Sequence, residues 1–293
     1  MAEIERDPFT GRETTGHEWN GIKELDTPIP RGVLIFLLLT HLWAITWWFL
    51  VPAWPLGTTY TKGLLGVDQH SAVEARVVEG QQQRAEWTTR IETEPYPAIL
   101  ADEALMRTVR DTGRQLFGDN CAACHGRDGK GGAGYPNLTD ADWLWGGDPE
   151  TIEQTLRVGI NSAHPDSRIG QMPAFGRDGM LDREQVRNVA AYVYSLGHPD
   201  YSTEHNAAQI DAGREVFATT CVACHGEKAE GNPDLGAPNL TDATWVYGGD
   251  LQTIISTVHG GRQGHMPTWD KRLSPADIRT LALYVTDLGA QQR

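Results

Sequence analysis

Sliding the second half of the chain back by 100 positions lays DAGREVFATTCVACHG, from Asp211, over DTGRQLFGDNCAACHG, from Asp111. At 102 positions PNLTDATWVYGGD from Pro238 meets PNLTDADWLWGGD from Pro136, and Met266-Pro267 answers Met172-Pro173 ahead of the endings LYVTDLG and AYVYSLG. A unit written twice folds twice, so this part of the chain is limited to two small, related domains. The offsets drift because the first copy holds a longer segment, GINSAHPDSRIG, before its Met-Pro pair. Insertions of that kind belong in loops.

The apolar spacing in each copy is helical. Leu105, Val109, Leu116 and Phe117 form a stripe ahead of the first cysteine. Asp148 followed by Pro149 is an N-cap with proline at the first helical position. The last helix opens on Asp182 with Gln185 in the first copy and on Ser274, Pro275 and Asp277 in the second, both capping-box patterns. Val186, Val189, Ala190 and Val193 give that helix its apolar face, and Gly197 and Gly289 are its stops. No strand pattern competes with this reading.

All four cysteines fall in two C-x-x-C-H pentads, Cys121-Cys124-His125 and Cys221-Cys224-His225. This is the attachment signature of a c-type haem: two thiols reach the vinyl groups of one porphyrin, and the adjacent imidazole meets the iron. Two disulfides, a zinc site or a redox dithiol would use the cysteines, but none of them needs a histidine after each second cysteine. A low-spin iron takes a sixth ligand, and methionine opposite histidine raises the reduction potential. Met172 and Met266 are the candidates, 47 residues after His125 and 41 after His225. Ligation within each copy is the default expectation. Exchange of the two loops, with Met266 on the first haem and Met172 on the second, is the alternative. Met106 and Met180 have no repeat counterpart, and His265 is matched by Gln171. His17, His70, His164, His198, His205 and His259 show no paired pattern and read as surface or structural. The matched pairs Phe117 and Phe217, Asn137 and Asn239, Trp143 and Trp245, and Tyr192 and Tyr284 shape the pockets or simply pack.

Ahead of the repeat, GVLIFLLLTHLWAITWWFLV from Gly32 to Val51 carries no formal charge over twenty residues. As a helix it spans about 30 Å, the thickness of bilayer hydrocarbon. Trp43, Trp47, Trp48 and Trp54 gather toward its C-terminal half, where indoles favour the headgroup layer, and Pro52 and Pro55 end it. The preceding 31 residues and the absence of a small-residue cleavage pattern favour an anchor over a signal peptide. Arg12, Lys23 and Arg31 lie close before the span and only Lys62 comparably close after it, so the N-terminus is expected in the cytoplasm and the repeat outside. His41, inside the span, reads as a neutral imidazole bonded to a partner helix. The expected organisation is a cytoplasmic segment 1–31, an anchor 32–56, a periplasmic linker 57–105 with some helix, and cytochrome c domains 106–199 and 200–293. The fold class is all-α: one transmembrane helix followed by two tandem cytochrome c-type helical domains.

The chain has 25 basic and 39 acidic side chains and a formal charge of −14. That balance gives no basic footprint for nucleic acid. Eleven of those negative charges lie beyond residue 31, which suits a basic cytochrome donor. No Ser-His-Asp set, phosphate-cradling glycine loop or carboxylate pair stands out, so the haems carry the chemistry and the chain alone has no catalytic centre.

HEWNGIKELDTPIPR from His17 to Arg31, YTKGLLG from Tyr60 to Gly66 after the span, and the two CxxCH domains with their Met-Pro loops resemble the CcoP or FixP family. These are the membrane-anchored dihaem cytochrome c subunits of cbb3-type cytochrome c oxidase in bacteria. The resemblance covers nearly the whole length and implies an inner-membrane, single-pass electron-transfer subunit. Its implied partners are a catalytic subunit with b-type haem and copper, a monohaem cytochrome c subunit, and a soluble cytochrome c donor or the quinol pathway. The competing readings are a free-standing membrane dihaem carrier and a dihaem peroxidase or dehydrogenase subunit, either of the latter needing an open iron.

Overall fold

The structure, a computed structural model, describes residues 4–202 and 205–290, so the ends of the expected second domain at 203–204 and 291–293 lie outside the described residues. The chain divides into two units, residues 1–83 and 84–293.

The first unit opens with a feature absent from the sequence reading. Strands β1 (Thr14–Trp19) and β2 (Ile22–Leu25) pair antiparallel around Asn20-Gly21. Both turn residues have positive φ, +51° and +86°, the backbone that a two-residue Asn-Gly hairpin requires. The dipeptide was the signal. Helix α1 (Arg31–Leu50) follows, apolar on all sides with no buried residue, and among the described residues it is the one helix long and apolar enough to cross a membrane. Thr40, His41 and Thr46, in the middle of the apolar run, bond within the helix: Thr40 and Thr46 hydroxyls donate to Phe36 and Leu42 carbonyls, and His41 Nδ1 lies 2.7 Å from the Leu37 carbonyl. Internal pairing is what a hydrocarbon surrounding demands.

Helix α2 (Gln69–Thr93) ends in the second unit, followed by α3 (Tyr96–Ala101). Ile91, Tyr96 and Ile99 from this stretch are buried in a core, so the later part of the expected linker belongs to the packed body. Arg279 fastens it by donating to the Ile91 and Glu94 carbonyls at 2.6 and 2.7 Å.

The first copy then supplies α4 (Glu103–Asn120), the single turn α5 (Ala122–His125), α6 (Pro149–Val158) and α7 (Arg183–Gly197). The second supplies α8 (Ala207–Thr220), α9 (Val222–His225), α10 (Leu251–Gly260) and α11 (Pro275–Ala290). The caps read from sequence are present: Asp148 accepts from Thr151 N at 2.8 Å, Asp182 and Gln185 form a full capping box, and Ser274 and Asp277 bond reciprocally.

The packing crosses the copies. α7 lies on α8 and α10, and α11 lies on α4 and α6. One core joins Phe117, Val109, Ile152 and Leu156 to Leu281, Leu283 and Tyr284 from the end of the chain. The other joins Val186, Val189 and Val193 to Phe217, Ile254 and Val258. Each copy gives its last helix to the other, and the ring pairs follow, with Phe117 against Tyr284 at 5.7 Å and Tyr192 against Phe217 at 5.3 Å.

Candidate haem-binding sites

Each pentad starts where a long helix stops. Cys121 and Cys221 close α4 and α8, and the next turn carries Cys124-His125 and Cys224-His225. His125 Nδ1 lies 3.0 Å from the Pro136 carbonyl and His225 Nδ1 3.0 Å from the Pro238 carbonyl. A carbonyl accepts only, so Nδ1 carries the proton and Nε2 keeps its lone pair, the tautomer that ligates a metal. The loop that supplies the carbonyl is itself tied back, Gly131 N donating to His125 O at 2.8 Å and Gly231 N to His225 O at 2.9 Å.

Burial sets the electrostatics. It pushes both imidazoles below the usual histidine range, against the opposing pull of the proline carbonyl bonds. Burial, with a smaller contribution from the neighbouring cysteine, pushes the Cys121 and Cys221 thiols up to about 11. All four thiols are free, and the second of each pair is exposed. Among the described residues no three His, Cys, Asp or Glu side chains converge as a metal cluster. Two free thiols and a neutral imidazole on one turn, built identically twice, fit a covalently attached haem.

The two Met-Pro loops divide across the copies. Met266, like Cys121, Leu116 and Trp143, packs against the core that holds α4 and α11, whereas Met172, like Cys221, Val222 and Trp245, packs against the core that holds α7 and α8. The loops that carry them are linked. Ile160 and Met266 exchange both backbone hydrogen bonds, each 2.9 Å, and Met172 and Arg262 exchange theirs at 2.8 and 3.0 Å. Gly159 and Gly261, at φ +70° and +69°, make this approach possible: a Cβ on either would lie 2.5 Å from the carbonyl oxygen of Met266 or Met172. These matched glycines were visible in the sequence, but their meaning depends on the partner loop. The remaining sequence candidates separate cleanly. Met106 is core, Met180 and His265 are exposed, and His164 lies 3.6 Å from Asp270. Asn137 and Asn239 each accept from the backbone and hydroxyl of the threonine two residues on, closing the same turn in both copies.

Known proteins carry the same three segments in the same order. Residues 11–58 match the N-terminal domain of cytochrome oxidase-cbb3, FixP; residues 111–197 match cytochrome c; residues 208–285 match cytochrome c oxidase, cbb3-type, subunit III. The chain is 46% identical to the cbb3-type cytochrome c oxidase subunit FixP of Bradyrhizobium sp. (strain ORS 278), over 97% of both chains. The chain belongs to the FixP/CcoP family of cbb3-type oxidase subunits. It is also 42% identical to the subunit CcoP of Azospirillum brasilense over 99% of both chains, and 44% identical to that of Cereibacter sphaeroides over 94% of both. Membership accounts for covalently bound haem c, for a membrane anchor at the N-terminus and for association with other oxidase subunits. The matched segments break between α7 and α8, whereas the packing joins those two helices.

Proposed function

We propose that this chain holds two c-type haems and relays electrons from a soluble cytochrome c or the quinol pathway to the haem b and copper subunit of a cbb3-type oxidase, which reduces oxygen to water. Cys121, Cys124 and His125 hold the first haem with Met266 as sixth ligand. Cys221, Cys224 and His225 hold the second with Met172. The observation that carries this assignment is that Met266 and Cys121 pack against one core, and Met172 and Cys221 against the other. Each haem, when bound, supplies a one-electron iron couple that histidine and methionine tune upward. The chain's own residues do the rest. The Pro136 and Pro238 carbonyls orient the imidazoles. The aromatic and aliphatic walls, Phe117 with Tyr284 and Phe217 with Tyr192, exclude water, which raises the cost of charge on the oxidised iron.

A single-pass anchor with its N-terminus in the cytoplasm puts the haem-bearing part in the periplasm of a bacterial inner membrane, where a monohaem cytochrome c subunit and the soluble donor meet it. The excess of acidic side chains beyond residue 31 steers a basic donor. Turnover with such a donor falls as ionic strength rises; salt-independent turnover counts against this steering.

Ligation is tested by Met172→Leu and Met266→Leu in the full chain. Met266→Leu turns high-spin the haem attached at Cys121 and Cys124, read by magnetic circular dichroism of the intact chain in parallel variants whose other attachment site is removed (Cys221→Ala with Cys224→Ala, or Cys121→Ala with Cys124→Ala). The opposite assignment returns ligation to within each copy. Native purification through this chain tests the partner reading: b haem, copper and cyanide-sensitive oxygen uptake accompany it. A lone dihaem protein points to a free-standing carrier.

A further inference from the structure

Helix α1 ends at Leu50, and the next seventeen residues, Val51 to Val67, carry one formal charge, on Lys62. They do not leave the helix but return to it. Leu64 N donates to Phe49 O and Leu65 N to Leu50 O, both at 2.9 Å, so two of the carbonyls that a helix end leaves open are closed by backbone from fifteen residues further on. Gly63 permits this approach: its φ is +69°, and a Cβ there would run into the Leu50 carbonyl oxygen. The loop also closes on itself. Trp54 N donates to Thr61 Oγ1 at 3.1 Å, Thr61 N to Trp54 O at 2.9 Å and Leu56 N to Thr59 O at 2.6 Å.

The side chains face the other way. Trp54, Leu56, Tyr60, Leu64, Leu65 and Val67 are all exposed, from 43% at Val67 to 83% at Leu64. A lone exposed leucine is ordinary, but six large apolar side chains on one loop with a single charge form a patch that marks an interaction surface. The patch is continuous with the span. Trp54 meets Trp48 of α1 edge to face at 5.1 Å, and Leu64 and Leu65 hang from the last two residues of the helix. Lipid is what surrounds α1, which has no buried residue, and the patch begins where that surrounding meets the headgroups. A backbone that satisfies its own donors and the helix end suits a layer poor in free water. Aromatic rings and a lysine beside leucines suit the same layer, the rings and the Lys62 ammonium at the phosphates and the aliphatic chains below them.

We propose that residues 51–67 are a phospholipid-seated foot: Leu64 and Leu65 insert among the acyl chains of the leaflet that the C-terminal end of α1 reaches, held there by the backbone closure at Gly63. The foot fixes the depth at which the span stops, so the chain beyond it leaves the bilayer from a set level.

Because α1 holds the chain in the bilayer with or without the foot, the test reads depth rather than binding. The full chain, whose own cysteines carry haem, receives one nitroxide label at Leu64→Cys or Leu65→Cys and is placed in vesicles of phosphatidylethanolamine and phosphatidylglycerol; the unsubstituted chain, treated in parallel, gives the background. Power-saturation electron paramagnetic resonance compares collisions with oxygen, which concentrates in lipid, against collisions with a water-soluble nickel complex. Leu38→Cys in the middle of α1 and Gln82→Cys on α2 are the lipid and water references. The expected oxygen-to-nickel ratio at both leucine positions is several-fold above that at Gln82 and on the side of Leu38. A ratio equal to the water reference overturns the proposal, and so does poor access of both reagents, which would mean that protein covers the patch. Gly63→Val, added to the Leu64→Cys chain, is expected to bring the ratio down toward the water reference; an unchanged ratio overturns the role given to the backbone closure.

Discussion

Ile160 and Met266, 106 residues apart, are paired by two reciprocal backbone hydrogen bonds of 2.9 Å, and through them the loop after α6 holds the methionine of the other copy. Trp269 N donates to Leu156 O at 3.0 Å just beyond, so the attachment is a short continuous seam. The two packed bodies therefore differ in how the chain builds them. The one around Cys221 comes from the contiguous stretch between Met172 and Arg262, whereas the one around Cys121 needs α4 to α6 together with the chain from Met266 onward.

Ending the chain after Gly197 removes α11 and Met266 while retaining α7, whose partners are α8 and α10. Ile152, Leu156, Val109 and Phe117 lose their cover. Such a fragment is expected to lack cooperative unfolding and a low-spin haem spectrum, checked by thermal circular dichroism and visible absorption. A fragment folding like the full chain would mean that α7 closes on α4.

Gly159→Ala places a Cβ at 2.5 Å from Met266 O and demands a left-handed backbone of a residue that resists it. The backbone alone costs roughly 1–2 kcal/mol. The expected result is a lower denaturant midpoint, with the spectroscopic disturbance at the haem of Cys121 and Cys124. Gly261→Ala disturbs the other haem through Met172.

Glu153 accepts from Tyr96 Oη at 2.6 Å, from Arg157 at 2.6 Å and from Arg279 at 3.4 Å, which joins α3, α6 and α11. Arg279→Ala leaves the carboxylate and two carbonyls short of donors and is expected to cost about 3 kcal/mol, read by urea unfolding. Burial alone would raise the Glu153 pKa, but the Tyr96 hydroxyl and the two arginines outweigh it and hold the carboxylate below its ordinary range. Its stabilisation is thus present above about pH 4.3 and is lost as pH falls through the depressed value. Glu153→Gln flattens that part of the acid limb.

Much of this architecture is legible in the residues. Helix starts at Asp148, Asp182 and Ser274 are chemical instructions carried by a few adjacent side chains, and the structure uses each of them. The pentads are equally local, since thiols and imidazole must lie within one turn to serve one porphyrin. Where the reading was incomplete, the information was either overlooked or absent. Asn20-Gly21 announced a hairpin that the helical bias of the chain obscured. Ile91 and Ile99 sit in a polar stretch whose burial depends on Arg279, almost two hundred residues later.

The repeat by itself determined that one helical unit is written twice, each with its own CxxCH pentad, Met-Pro loop and last helix. It could not determine which copy's last helix and Met-Pro loop pack with which pentad. The two α7-like helices, the two Met-Pro loops and the two aromatic partners are nearly interchangeable in sequence, so each fits either site about equally well as chemistry. Only the tertiary structure breaks that tie. The short connection from α7 to α8 keeps those helices together as a pair, and the glycines at 159 and 261 let the loops cross at backbone contact, so that Met266 packs against the core that also takes Cys121 and Met172 against the core that also takes Cys221.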